Sequence, residues 1–184
     1  MTHQHTLSLT ALCLSALGLS ACSSMGSGSM YSQAELPAAV QVPTGHKVAM
    51  ETVGIGQITY ECRTKKDMAT EHEWVFVGPD ARLQTRGGMV IGKYWGPPAT
   101  WENNDGSKVT ATQVAVAPAG TGNIPLQLVK ANPATGMGAM QGVTYIQRVA
   151  TKGGVAPSMA CSAMNLGSKQ IVQYQADYIF WKAA

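Results

Sequence analysis

From Gly45 onward the chain alternates apolar and polar residues in the manner of half-buried strands. In Gln57-Ile58-Thr59-Tyr60-Glu61-Cys62 the alternation puts Ile58, Tyr60 and Cys62 on one face of an extended segment. Trp74-Val75-Phe76-Val77 is a short apolar run that Gly78-Pro79 is expected to stop. The same criteria predict strands over residues 89–95, 108–116, 125–130, 143–150 and 176–181. Turn chemistry separates them at Arg86-Gly87-Gly88, Asn104-Asp105-Gly106, Asn132-Pro133, Gly153-Gly154 and Ala156-Pro157. No long stretch keeps a 3.6-residue apolar stripe, and residues 79–83 alone suggest a helical turn. Short strands without alternating helices predict an all-β fold, a single antiparallel β-sandwich or barrel-like domain with short strands and long loops over residues 45–184. There is no internal repeat and no second domain boundary.

The N-terminal pattern differs. Residues 7–21, LSLTALCLSALGLSA, form an uncharged apolar run of about 15 residues, shorter than the roughly 20 a membrane-spanning helix needs. This is the core of an export signal, residues 1–21. It ends in Leu19-Ser20-Ala21-Cys22, which resembles the bacterial lipobox, where a Leu and two small residues precede the Cys that receives the lipid. One departure is that MTHQHT carries His3 and His5 but no Lys or Arg, where an export signal normally has positive charge. Residues 22–44 are rich in Ser, Gly, Ala and Pro, a composition expected to give a flexible tether of about 25 Å root-mean-square reach. Ser23 after the lipidated Cys, where an inner-membrane retention signal has Asp, favours an outer-membrane lipoprotein, periplasmic or surface-exposed.

Composition narrows the function classes. The 184 residues hold 13 Lys+Arg and 10 Asp+Glu, a net charge of +3, with 12% charged residues against a usual value of about 25%. That balance is too mild for nucleic-acid binding and too apolar for disorder. Gly 20 and Pro 9 exceed the usual combined share of about 12% and fit a turn-rich domain. Of four cysteines, Cys13 leaves with the signal and Cys22 takes the lipid, so Cys62 and Cys161 remain in an oxidising compartment. They are expected to form a disulfide, which for a loop of about 100 residues is worth roughly 4–5 kcal/mol. The alternative is two free thiols, one reactive, with His46 or His72 as the base.

Three blocks, Gly56-Gln57-Ile58-Thr59-Tyr60-Glu61-Cys62, Trp74-Val75-Phe76-Val77-Gly78-Pro79-Asp80-Ala81 and Gly96-Pro97-Pro98-Ala99-Thr100-Trp101-Glu102 with Asp105-Gly106-Ser107, carry a resemblance. Ile124-Pro125-Leu126-Gln127-Leu128, Tyr145-Ile146-Gln147-Arg148-Val149, Thr151-Lys152-Gly153-Gly154-Val155-Ala156-Pro157, Cys161 and Ala176-Asp177-Tyr178-Ile179-Phe180 extend it. Together they resemble the domain-of-unknown-function family 3455. The resemblance implies an exported domain, bacterial or fungal, without an established activity. The family's His before a Gly-Pro-Thr-Trp block is absent here, where Lys93-Tyr94-Trp95 precedes the stretched Gly96-Pro97-Pro98-Ala99-Thr100-Trp101. Some fungal relatives carry a malate dehydrogenase label. Gly54-Ile55-Gly56 runs into a strand and Gly136-Met137-Gly138 sits in a loop, so neither precedes the helix that would meet a pyrophosphate, and that reading is rejected.

The remaining candidates are few. Tyr94, Trp95 and Trp101 with Glu102 and Asp105 could form a saccharide-binding platform, aromatic faces for the ring and acids for the hydroxyls. The competing reading makes the aromatics core and Asn104-Asp105-Gly106-Ser107 a hairpin turn. Glu71-His72-Glu73 lacks metal-ligand spacing. The methionines, with Met137 and Met140 close together and Met159 near Cys161, offer soft ligands for copper but are also common core fillers. Arg148, in an apolar strand, suggests a partner for a carboxylate such as Asp177. No metal, cofactor or catalytic set is assigned. The leading expectation is a lipid-anchored cell-envelope protein with an accessory or ligand-binding β domain, its expected partners the membrane through the lipid and a cell-wall or saccharide ligand. An envelope hydrolase acting on saccharide or peptidoglycan and a copper or redox module are the alternatives.

Overall fold

A computed structural model describes residues 31–184. The expected export signal, the expected lipidation site Cys22 and the first part of the expected tether lie outside the described residues. Eight antiparallel strands follow one another around a ring: β1 (His46–Lys65), β2 (Met68–Gln84), β3 (Val90–Trp95), β4 (Thr100–Asn103), β5 (Lys108–Ala117), β6 (Leu126–Ala131), β7 (Val143–Gly153) and β8 (Lys169–Ala183). Each pairs with the next, and β8 pairs with β1, so the sheet is a closed barrel. The all-β expectation is met, in its barrel form, but the strands are not uniformly short: β1, β2 and β8 run 20, 17 and 15 residues. At eight strands the interior is just wide enough for side chains to fill it. Ile58, Tyr60, Leu83, Tyr94, Trp101, Val109, Ile146, Tyr178 and Phe180 do so. Small residues make the room: a Cβ on Gly54 would sit 2.5 Å from Tyr178 Cε2.

Two local predictions are corrected. Gly78-Pro79 does not stop β2, which continues to Gln84. The register shifts by one residue between Thr59 and Tyr60, and a proline beside such a bulge does not break the ladder. Residues 79–83 are therefore strand, not a helical turn. β4, only four residues long, is too short to show a period and was not expected.

The flexible tether expected through residue 44 differs from the structure over residues 31–44. A 3-10 turn at Ala38–Val40 and the residues around it lie on the outer face of the barrel. Val40 and Val42 are buried there against Ala117, Leu128, Val149, Ile179 and Trp181. Each such side chain removed from water contributes about 1.5–3 kcal/mol, enough to hold a short segment that its composition alone leaves loose. Polar contacts fix its path: Gln33 donates to Val42 O at 2.9 Å and accepts from Val42 N at 2.7 Å. The folded unit thus begins by Tyr31.

Cys62 and Cys161 form the expected disulfide, across a separation of 99 residues with Cα atoms 5.4 Å apart. It ties β1 to the long loop between β7 and β8, where Gly167 N also donates to Cys62 O at 2.8 Å.

Candidate functional site

The β3–β4 hairpin holds most of the candidate residues and divides them. Tyr94 and Trp101 stand opposite each other in the ladder and point inward. Their rings stack at 4.5 Å, and Tyr178 closes the group at 5.0 Å from Tyr94 and 5.8 Å from Trp101. Both are buried and serve the core, so neither forms part of an exposed platform. Burial raises the Tyr94 phenol above its ordinary pKa.

Trp95 is the next residue along the strand and therefore faces outward, with 37% of its surface exposed. The turn that follows, with cis peptide bonds at Gly96-Pro97 and Pro97-Pro98, returns the chain to Thr100, whose Oγ1 donates to Pro98 O at 2.8 Å. Trp95, Pro98 and Pro133 supply apolar walls to a groove of about 240 Å³, with Lys108, Thr110 and Thr135 as its polar groups. Sites that enclose a drug-sized ligand measure about 300–1,000 Å³, so this groove suits a single ring. A depression of about 590 Å³ near His46, Lys130 and Tyr145 is larger but more open to solvent, and it contains none of Tyr94, Trp95, Trp101, Glu102 and Asp105.

The two carboxylates are not aimed at this groove. Glu102, across from Lys93 in the ladder, pairs with it at 3.5 Å and lines a separate depression with Arg82. Asp105 accepts from Ser107 Oγ at 2.6 Å, Ala139 N at 2.7 Å and Ser107 N at 2.9 Å. The Ser107 hydroxyl, then the two backbone donors, hold the Asp105 carboxyl below its usual range. It clamps the β4–β5 turn to the β6–β7 loop. Gly138, whose Cβ would collide with that carboxylate, permits the approach.

The other candidates separate as well. Arg148 does not meet Asp177. In the β7–β8 register Arg148 lies opposite Tyr178 and Val149 opposite Asp177, so the two charged residues face opposite sides of the sheet. Asp177 is bound instead by Arg86 at 3.0 Å, which also reaches Glu51 at 3.0 Å. Sequence reasoning missed Arg86 because it sits in a turn remote from both acids. Met140 is buried while Met137 is exposed, which splits that pair. Glu71 is engaged by Lys65 at 2.6 Å. Among the described residues no group of three or more His, Cys, Asp and Glu is arranged to hold a metal ion. Met25 and Met30 lie outside the described residues.

No curated protein and no solved structure matches the chain. Residues 43–90 and 83–182 match a family model, and together they take in all eight strands but for the last residue of β8. The chain belongs to the family described as Protein of unknown function (DUF3455).

Proposed function

We propose that this chain is a lipid-anchored protein of the cell envelope whose barrel is an accessory, ligand-binding domain, with the groove beside Trp95 receiving one ring of a saccharide. The observation that carries this is the exposure of Trp95 over a groove whose apolar lining is completed by Pro98, Pro133 and Val109. An indole face against the C–H face of a sugar is a favourable apolar contact, and Thr110, Thr135 and Lys108 offer polar groups to its hydroxyls. The lipobox-like Leu19-Ser20-Ala21-Cys22 and the Cys62–Cys161 disulfide support an exported location.

Binding is favoured over hydrolysis by the state of the acids. Glycoside hydrolysis needs two carboxyl groups facing the scissile bond, about 5–5.5 Å or 6.5–9.5 Å apart. Glu102 is ion-paired outside the groove and Asp105 is committed to loop amides.

The test is a glycan array and a peptidoglycan pulldown with the wild type and Trp95→Ala. The expected result is a bound saccharide that the variant loses while its melting temperature stays close to wild type. Absence of binding by the wild type, or equal binding by a folded variant, overturns the groove assignment. Membrane fractionation of Cys22→Ala tests the anchor, with release of the protein from membranes expected.

A further inference from the structure

Arg148 occupies an interior position of the barrel. Along β7 it shares a face with Ile146, which is 1% exposed in the core. Its neighbours in the ladders are Tyr178 on β8 and Gln127 on β6. Gln127 in turn donates to Gln113 of β5 at 2.7 Å. A polar band of Arg148, Gln127 and Gln113 thus crosses a wall that is otherwise apolar.

The guanidinium is only partly occupied. Nε and Nη2 both donate to one carbonyl, Pro125 O, at 3.1 and 2.9 Å. Arginine has five N–H donors. The ion pairs of the described residues involve Arg63, Lys65, Arg86 and Lys93, and none includes Arg148. A positive charge turned toward a core normally carries an acid with it. Here its charge acts on phenols instead: burial raises Tyr60 and Tyr94, and Arg148 pulls each back toward its ordinary value. The aromatic group of Tyr94, Trp101 and Tyr178 also holds a buried donor without an acceptor, Trp101 Nε1.

The barrel wall is incomplete at this level. β4 pairs with β5 only over Lys108, Val109 and Thr110, and above that point β5 pairs with β6 alone. Side chains that face inward there meet solvent. Phe76, paired with the buried Tyr60, is 52% exposed, and Val116, paired with Gln127, is 46% exposed. Arg148 itself is half-buried.

We propose that Arg148 anchors a binding site for a small oxyanion, the carboxylate or phosphate group of a ligand that enters through the gap above β4, with Gln127 and Gln113 as neutral hydrogen-bonding partners. A guanidinium edge presents two parallel N–H donors to either group. The site is separate from the Trp95 groove, which lies on the outer face.

The test is an NMR titration of the ¹⁵N-labelled full chain with acetate, inorganic phosphate and, as an uncharged control, methyl glucoside. The expected result is a saturable shift of the Arg148 Nε–H signal with at least one anion and none with the glucoside; comparing acetate with phosphate identifies the preferred group. Arg148→Gln should weaken anion binding roughly tenfold or more, Arg148→Lys less, and Trp95→Ala not at all. Absence of a saturable shift with either anion overturns the proposal. So does undiminished binding by a folded Arg148→Gln, or loss of the shift in Trp95→Ala, which would place the anion in the outer groove. Should the Gln variant fail to fold, the wild-type Arg148 signal and the Lys variant decide.

Discussion

Gln147 accepts the indole N–H of Trp181 at 2.9 Å on the outer wall of the barrel, where both residues are buried beneath the N-terminal segment. The same Gln147 oxygen accepts the Tyr31 hydroxyl at 3.0 Å, and its amide nitrogen donates to Gln33 Oε1 at 2.9 Å and Val40 O at 2.7 Å. One side chain therefore fastens the segment at three places. Gln147→Leu would leave the Trp181 N–H and the Val40 carbonyl buried without partners. The expected loss is about 2–4 kcal/mol in urea unfolding, with new protease cleavage among residues 31–42.

Tyr31 makes that fastening sensitive to alkali. Burial first, and then the charges of Glu51 and Asp177, push its phenol up to about 12 from 10.0. The unfolded chain releases this proton near pH 10, whereas the folded chain keeps it. Its contribution is therefore complete below pH 10 and is lost as pH rises toward about 12. Stability measured across that window should fall less steeply in Tyr31→Phe than in the wild type.

Removing the Cys62–Cys161 bond by Cys62→Ala with Cys161→Ala should cost about 4–5 kcal/mol if unfolded-chain entropy dominates. Denaturant midpoints with and without reductant measure this directly. Intact masses of the reduced and oxidised wild type should differ by two hydrogens.

Gly54→Ala tests the packing of the barrel interior. The added methyl would sit 2.5 Å from Cε2 and 2.9 Å from Cδ2 of Tyr178, whose ring is held by Tyr94 and Trp101. Overpacking of this kind costs about 1–3 kcal/mol, read as a lowered melting temperature.

Strand period was legible wherever a segment was long enough to repeat. Ile58, Tyr60 and Cys62 share the inward face that their alternation predicts. Alternation also requires Tyr94 and Trp95 to face opposite ways, yet it does not say which is inside. That depends on the pairing of Tyr94 with Trp101, a contact between strands that no single segment displays. The N-terminal segment was misread for a related reason. Its few apolar residues, Tyr31, Leu36, Val40 and Val42, are too sparse to make a core of their own, but they match an apolar patch assembled from five strands. Gln147 was invisible as a fastening point because its partners in the N-terminal segment come from 107 to 116 residues away.

Seven of the eight ladders join strands that are consecutive in the chain, and each of these can form once its second strand is available. The eighth, between β1 and β8, is different: His46 finds Ala183 only when nearly the whole domain has been made. Among the described residues, closure of the ring is thus the pairing across the greatest stretch of chain, and long-range pairing is the slow, entropically costly kind. Cys62 lies at the upper end of that seam, its amide bonded to Ser168 O just before β8 begins. A covalent link between Cys62 and Cys161 shortens the search by holding the segment that leads into β8 beside the edge of β1 that it must find.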